Sequence, residues 1–265
     1  MRMMSIASGS SGNCIYIGTE RTHLLVDAGV PKKRVLEGLA RLDLSLNDID
    51  AILITHEHSD HINGVGVLER ALEIPLYGTK KTLGHIERAT TLGRIPEGIY
   101  RTFKAGDSFE IGDITVGSIP VSHDAKDPVG YRFDAEGKRI GVVTDLGVYT
   151  DATISFYSNM DAALIEANHD VNMLLNGPYP YALKQRILGV KGHLSNEDSG
   201  RLIGSLLNDR IKRIYLGHLS KENNFPELAY QTVRMEVNLG DNPYRADDFD
   251  IRVARRDEAS EILNL

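Results

Sequence analysis

The residues Thr55-His56-Glu57-His58-Ser59-Asp60-His61 close an apolar run, Ile52-Leu53-Ile54, that has the composition of a buried strand. Ordinary strand-to-helix turns use Gly, Asn or Ser, whereas this one carries three imidazoles and two carboxylates. Imidazole and carboxylate suit Zn²⁺ and similar divalent ions. Alternate positions on an irregular turn can aim His56 and His58 at one point and Asp60 and His61 at another, so the local pattern predicts two adjacent metals. A polar turn that is His-rich by accident is the plainer alternative, but an apolar strand does not usually lead straight into His-x-His-x-Asp-His.

Further polar residues recur where apolar runs end. Val116 to Val121 leads into Ser122-His123-Asp124, Arg139 to Thr144 into Asp145, Ala162 to Ile165 into Glu166-Ala167-Asn168-His169-Asp170, and Arg213 to Leu216 into Gly217-His218. One such residue is an ordinary capped turn. A row of them built from His, Asp and Glu is what a site along one edge of two sheets requires. Asp27 also ends a strand-like run, and its expected role is to fix a ligating histidine or the turn after Thr55. Ser195 opens a Ser-x-x-Asp capping box with Asp198, which sets His193 just before a helix running to about Leu207. For His169 a structural hydrogen bond is expected rather than metal ligation.

The elements that must position these groups alternate irregularly. Met4 to Ala7 and Asn13 to Ile17 read as a hairpin across Ser8 to Gly12, whose small residues make a plain turn or offer donors to a phosphate. Ser10, Ser11 and Asn13 are the candidate substrate contacts there, and Cys14 reads as a small core residue. Helical spacing marks Pro31 to Leu42, Ile62 to Leu72, Thr79 to Leu92 and Pro226 to Leu239, with Lys80, Lys81, His85 and Arg88 on a solvated face. Phe109 to Val116 has a hairpin pattern, Val129 to Phe133 pairs with Arg139 to Thr144, and Ile251 to Ala254 is a closing strand. Tyr179 and Tyr181, followed by Lys184, Arg186 and Lys191, form either a nucleic-acid contact by stacking and phosphate binding or a solvated loop.

A chain of 265 residues with 42% hydrophobic content can bury a substantial core. The formal net charge of −7 argues against a general polyanion-binding surface, although a local basic patch can still hold phosphates. The single cysteine forbids an internal disulfide, and no apolar run approaches a membrane span. The expectation is a soluble, cytoplasmic protein without a membrane partner. Ligands scattered from His56 to His218, with no linker-like segment between them, favour one domain over residues 1–265, an α/β protein built as an αββα sandwich of two mixed sheets flanked by helices.

Thr-His-Glu-His-Ser-Asp-His, followed by His123, Asp145 and His218 at strand ends, resembles the motif series of the metallo-β-lactamase superfamily over nearly the whole chain. The resemblance implies His56, His58 and His123 on one metal, Asp60, His61 and His218 on the other, and Asp145 bridging. His58 stands where the flavo-diiron branch typically has a carboxylate, and Asp145 where lactamases commonly have cysteine; both favour a different hydrolase. Glu166-Ala167 with His193-Leu194-Ser195 resembles elements of ribonuclease Z, in which a glutamate–histidine pair assists the leaving oxygen. Ser8 to Asn13, Glu166 to Asp170 and Gly192 to Glu197 together look like the YycJ (WalJ) subfamily of bacterial DNA nucleases, which implies a 5′-to-3′ DNA exonuclease. No long tRNA-binding insertion and no β-CASP cap is visible in the sequence.

The expected chemistry is two-metal phosphodiester hydrolysis, with Zn²⁺ or Mn²⁺ and a metal-bridging hydroxide as nucleophile. Asp60 or Asp145 accepts the remaining proton, and His193, held protonated by Glu166, serves the leaving oxygen. DNA is favoured over RNA as the partner. A ribonuclease or small phosphodiesterase, a glyoxalase-like thioester hydrolase, and a binding module that merely retains metals are the other classes.

Overall fold

In the computed structural model, which describes residues 1–265, the apolar runs pair into two seven-stranded sheets. The first contains β1 (Arg2–Ala7), β2 (Cys14–Gly18), β3 (His23–Val26), β4 (Ala51–Leu53), β5 (Leu76–Thr79) and β6 (Tyr100–Phe103). The second contains β7 (Ser108–Ile111), β8 (Ile114–Pro120), β9 (Val129–Ala135), β10 (Lys138–Val143), β11 (Ala162–Glu166), β12 (Arg213–Gly217) and β13 (Ile251–Val253). The final β14 (Leu263–Asn264) returns to β1, so the first sheet runs β14-β1-β2-β3-β4-β5-β6 and the second β13-β12-β11-β10-β9-β8-β7. Each sheet is antiparallel at one end and parallel at the other, changing at β3 and at β10.

The two-residue period of a strand explains the layering. In β2, Ile15 and Ile17 enter the core between the sheets while Cys14 and Tyr16 face the outer core; in β11, Ala162 and Leu164 point inward and Ala163 and Ile165 outward. Helices α1 (Lys32–Ala40), α2 (Ser59–Ile62), α3 (Val65–Leu72) and α4 (Lys80–Arg88) lie along the first sheet's half of the chain. The second half supplies α5 (Asp151–Phe156), α6 (Val171–Asn176), α7 (Tyr181–Leu188), α8 (Asn196–Leu206) and α9 (Pro226–Leu239). Apolar residues of α1, α3 and α4 complete one outer core, and those of α8 and α9 the other. The result is the αββα sandwich that the sequence implies.

Several elements differ from their sequence-based expectation. The helix expected over Ile62 to Leu72 is interrupted, because Gly64 packs backbone to backbone: its N–H donates to the Ala28 carbonyl at 2.7 Å, and a Cβ there would lie 2.2 Å from the Val30 carbonyl oxygen. Gly29 is equally constrained, since a Cβ would meet the Asp60 carbonyl oxygen at 1.6 Å. These two glycines let the chain after β3 press against the histidine-rich turn. The segment around Lys184 is the helix α7, not a loop; it buries no residue, so it has no apolar stripe to read. The edge strands β6 and β14 also escape the sequence pattern, the first being only half-buried and the second two residues long.

Glu69 of α3 is a buried acid whose carboxylate oxygens have no hydrogen-bond partner. Burial pushes its carboxyl up to about 7, the nearby Ile74 amide offsetting only part of the effect. The unfolded chain gives up this proton near the ordinary glutamate value, whereas the folded protein retains it to about 7. Stability therefore falls as pH rises through that window. Denaturant titrations at pH 5 and pH 8 are expected to show wild type losing roughly 1–3 kcal/mol more than Glu69→Gln. Equal losses in the two proteins contradict the assignment.

Candidate metal centre

The turn after β4 and the exits of β8, β10, β11 and β12 converge on one edge of the sandwich. His56, His58 and His123 bring ring nitrogens within 4.8 Å of one another; Asp60, His61 and His218 do the same with a carboxylate oxygen and two ring nitrogens, as do His56, His61 and Asp145 in a third group that joins them. Asp145 sits between the two sides: its Oδ1 is 3.6 Å from both His123 Nε2 and His218 Nε2, and its Oδ2 is 3.1 Å from His61 Nε2. Asp60 Oδ2 lies 3.2 Å from His218 Nε2 and 3.4 Å from His61 Nε2. All seven residues that the sequence singles out as ligands thus share one pocket.

Three of the strand exits have the same backbone device. Asp27, Asp145 and His218 adopt left-handed φ values of 59°, 57° and 55° as they leave β3, β10 and β12. Such a conformation is uncommon for non-glycine residues, although Asp and His tolerate it best. It turns the chain sharply at the point where a side chain must enter the site.

Buried carboxylates behind the cluster orient it. Asp27 accepts hydrogen bonds from the Thr55 amide at 2.8 Å and from the Thr55 hydroxyl at 2.9 Å, and its Oδ2 meets His61 Nδ1 at 2.7 Å, leaving His61 Nε2 to face Asp145. That is the orienting role expected for Asp27. On the opposite side, the Gly192 carbonyl holds His123 Nδ1 at 3.0 Å. Glu166, fully buried at the end of β11, does more than the sequence suggests. Its Oε1 meets His193 Nδ1 at 2.7 Å and His218 Nδ1 at 2.9 Å, while its Oε2 accepts the Leu146 and Leu194 amides. One carboxylate therefore supports both His218 and His193.

Electrostatics follow from this packing. Burial alone would raise the Glu166 carboxyl, but the His193 and His218 imidazoles outweigh it and hold the group down at about 2. Burial opposes charge on His193 too, yet Glu166 raises that imidazole above its ordinary value. Burial and the neighbouring histidines keep His56 neutral, the form in which imidazole ligates a metal. Two buried polar atoms in the middle of the cluster, His56 Nε2 and Asp145 Oδ2, have no hydrogen-bond partner. Buried polar atoms are normally satisfied, so orphaned donor atoms facing a shared pocket fit a divalent cation.

The candidate substrate residues are dispersed. Ser10 and Ser11 are exposed on the loop before β2. Asn13 is buried beneath it, accepting the Gly9 amide at 3.0 Å, with Nδ2 3.2 Å from His61 Nε2; it shapes the loop instead of facing solvent. On α7, Arg186 is neutralised by the Asp124 carboxylate and the Lys184 ammonium donates to the Leu175 carbonyl at 2.7 Å, while Lys191 is exposed. The hydrogen bond expected of the His169 ring is absent: both of its nitrogens are buried without a partner, and burial lowers it to about 4. Its backbone instead takes the structural part, with its carbonyl accepting the Asn196 amide at 2.9 Å.

A model of the beta-lactamase superfamily domain matches residues 22–218, which span the cluster from Asp27 to His218. The chain belongs to the metallo-β-lactamase superfamily. It is 48% identical over 236 residues to exodeoxyribonuclease WalJ of Streptococcus pneumoniae serotype 2 (strain D39 / NCTC 7466), covering 89% of this chain and 88% of that protein. Exodeoxyribonuclease YycJ of Bacillus anthracis is 42% identical over 228 residues, covering 86% of each chain. Among solved structures, Zn²⁺-bound PqqB from Methylobacterium extorquens shares the fold over 100% of both chains with a TM-score of 0.74 and 15% identity. Membership of the superfamily and likeness to the YycJ/WalJ proteins agree with the sequence motifs.

If Asp27 fixes His61, Asp27→Asn leaves the ring without its carboxylate. Zinc affinity measured by competition with a chelator is expected to fall about 10–100-fold, the usual effect of losing such a support. Unchanged affinity in a folded variant removes Asp27 from the metal centre.

Proposed function

We propose that this chain is a dinuclear-metal-dependent phosphodiester hydrolase that degrades DNA as a 5′-to-3′ exonuclease. The observation that carries the proposal is the Glu166 carboxylate joining His193 to His218: the cluster and a candidate proton donor form one hydrogen-bonded unit. The names of the two full-length relatives support DNA as the substrate. His56, His58 and His123 would hold one ion, Asp60, His61 and His218 the other, and Asp145 would bridge them. Zn²⁺ and Mn²⁺ both suit these donors. When bound, such a pair supplies an activated water near neutral pH and neutralises charge on the scissile phosphate.

The chain's own residues perform the remaining steps. Of the two imidazoles that Glu166 supports, His193 is the exposed one, with 17% of its side chain open against 2% for His218. With Nδ1 engaged by Glu166, its Nε2 proton is the one available to the leaving deoxyribose oxygen. Glu166 keeps the ring charged before transfer and oriented after it. Asp60 takes the proton released from the attacking water, being the more exposed of the two central aspartates. Because both sheets supply ligands, residues 1–265 act as one domain. No helix is long and apolar enough to cross a membrane, and the proposed DNA substrate fits a cytoplasmic enzyme.

Metal-loaded protein incubated with end-labelled single- and double-stranded DNA, RNA, a chromogenic phosphodiester and a thioester is expected to release mononucleotides from DNA starting at the 5′ end. Preferential thioester hydrolysis overturns the proposal in favour of acyl chemistry. Within the mechanism, His193→Ala is expected to slow DNA hydrolysis about 10²–10⁴-fold. The same variant should scarcely slow a diester that releases nitrophenolate, which departs without protonation. Equal slowing of both substrates, or loss of metal, excludes His193 as the acid.

A further inference from the structure

We propose that a pocket beside His218 holds one nucleotide of the DNA strand, its phosphate against Lys221, Arg255 and Arg256 and its base against Phe225. This subsite rests on the nuclease reading above. The pocket has a volume of about 450 Å³, within the range of roughly 300–1,000 Å³ typical of small-molecule sites. It lies between the turn after β12 and the segment after β13, which are parallel neighbours and therefore open at the same edge of the sheet. Ligands of parallel sheets gather at the carboxyl ends of the strands.

Its inner wall touches the metal centre. The Ser8 hydroxyl, which lines the pocket, accepts the His218 amide at 2.8 Å, and Leu219 and Ser220 continue the wall outward. The cations are tied to that wall: the Arg255 carbonyl accepts the Ser8 amide at 3.1 Å, and Arg256 Nη2 donates to the Leu219 carbonyl at 2.9 Å. Arg256 also packs against the loop that carries Ser10 and Ser11, its Nε 3.4 Å from where a Gly9 Cβ would stand. Lys221 has no carboxylate partner, and Arg255 pairs only with the exposed Glu258. Asp257 shares the wall, so three cations face one acid.

Phe225 supplies the second half of the argument. It precedes α9, lines the pocket and leaves 49% of its surface in water, so its ring is open to a base. An aromatic face beside clustered cations is how single-stranded nucleic acid is held: bases stack on the ring while Lys and Arg follow the phosphates. Neither contact reads a base edge, which suits an enzyme that must accept every nucleotide in turn.

The test compares Phe225→Ala and the double variant Lys221→Ala/Arg255→Ala with wild type on single-stranded DNA across a salt series and on bis(p-nitrophenyl) phosphate. Arg256 is kept because it also holds Leu219. Phe225→Ala is expected to raise KM for DNA about tenfold. The double variant should flatten the slope of log affinity against log salt by about 1.4, at roughly 0.7 per lost single-strand contact. Hydrolysis of the small diester should stay within about twofold of wild type in both. Unaltered KM and salt slope, or an equal loss on the small diester, overturn the subsite. A wild-type protein that cleaves the small diester but leaves DNA intact refutes the nuclease reading itself.

Discussion

The constraint on which everything else depends is the carboxylate of Asp145, buried at the meeting point of five imidazoles. Burial opposes its ionisation, yet the His218 and His61 imidazoles hold it well below the ordinary aspartate range. An ionised group out of water is costly unless opposite charge and hydrogen bonds compensate it, and the only close polar neighbour of Asp145 Oδ2 is His61 Nε2 at 3.1 Å, itself a candidate metal ligand. A divalent cation held by the cluster would complete this balance. The same requirement explains why the orienting groups Asp27 and Glu166 are themselves buried carboxylates: each fixes the Nδ1 side of a ring so that Nε2 faces inward.

The fold meets this constraint by stacking two similar sheets face to face, so that their strand ends open on one edge of the sandwich. Each sheet changes from antiparallel to parallel, and the strands just at or beyond that change, β3, β4, β10, β11 and β12, end in site residues. The left-handed turns at Asp27, Asp145 and His218 are the local cost, of order 1 kcal/mol or more each, and the surrounding core sustains them. Glycine is needed where backbone meets backbone, at Gly29 against Asp60 and Gly64 against Val30.

Much of this was legible in the sequence because the signals were local. The His-x-His-x-Asp-His turn, the strand-end positions of His123, Asp145 and His218, and the Ser195 cap each depend on neighbours a few residues apart, and the cap is seen with the Asp198 amide donating to Ser195 at 3.1 Å. What escaped depends on packing. Glu166 serving two histidines could not be read from a strand end alone, nor could the pairing of Arg186 with Asp124, 62 positions away. The exposed helix α7 lacks the apolar periodicity that identifies α1 or α9. The pocket at Phe225 joins the first loop to the last strands, a proximity that only topology creates.

The central claim is that one pocket holds two divalent ions with Asp145 between them. Elemental analysis of wild type and Asp145→Asn, both purified without chelator, tests it most directly, with circular dichroism to confirm that each is folded. The account predicts two ions per wild-type chain and a loss of both, or retention of one at most, in the variant. Two tightly held ions in folded Asp145→Asn, or a wild-type chain that binds none, would contradict it.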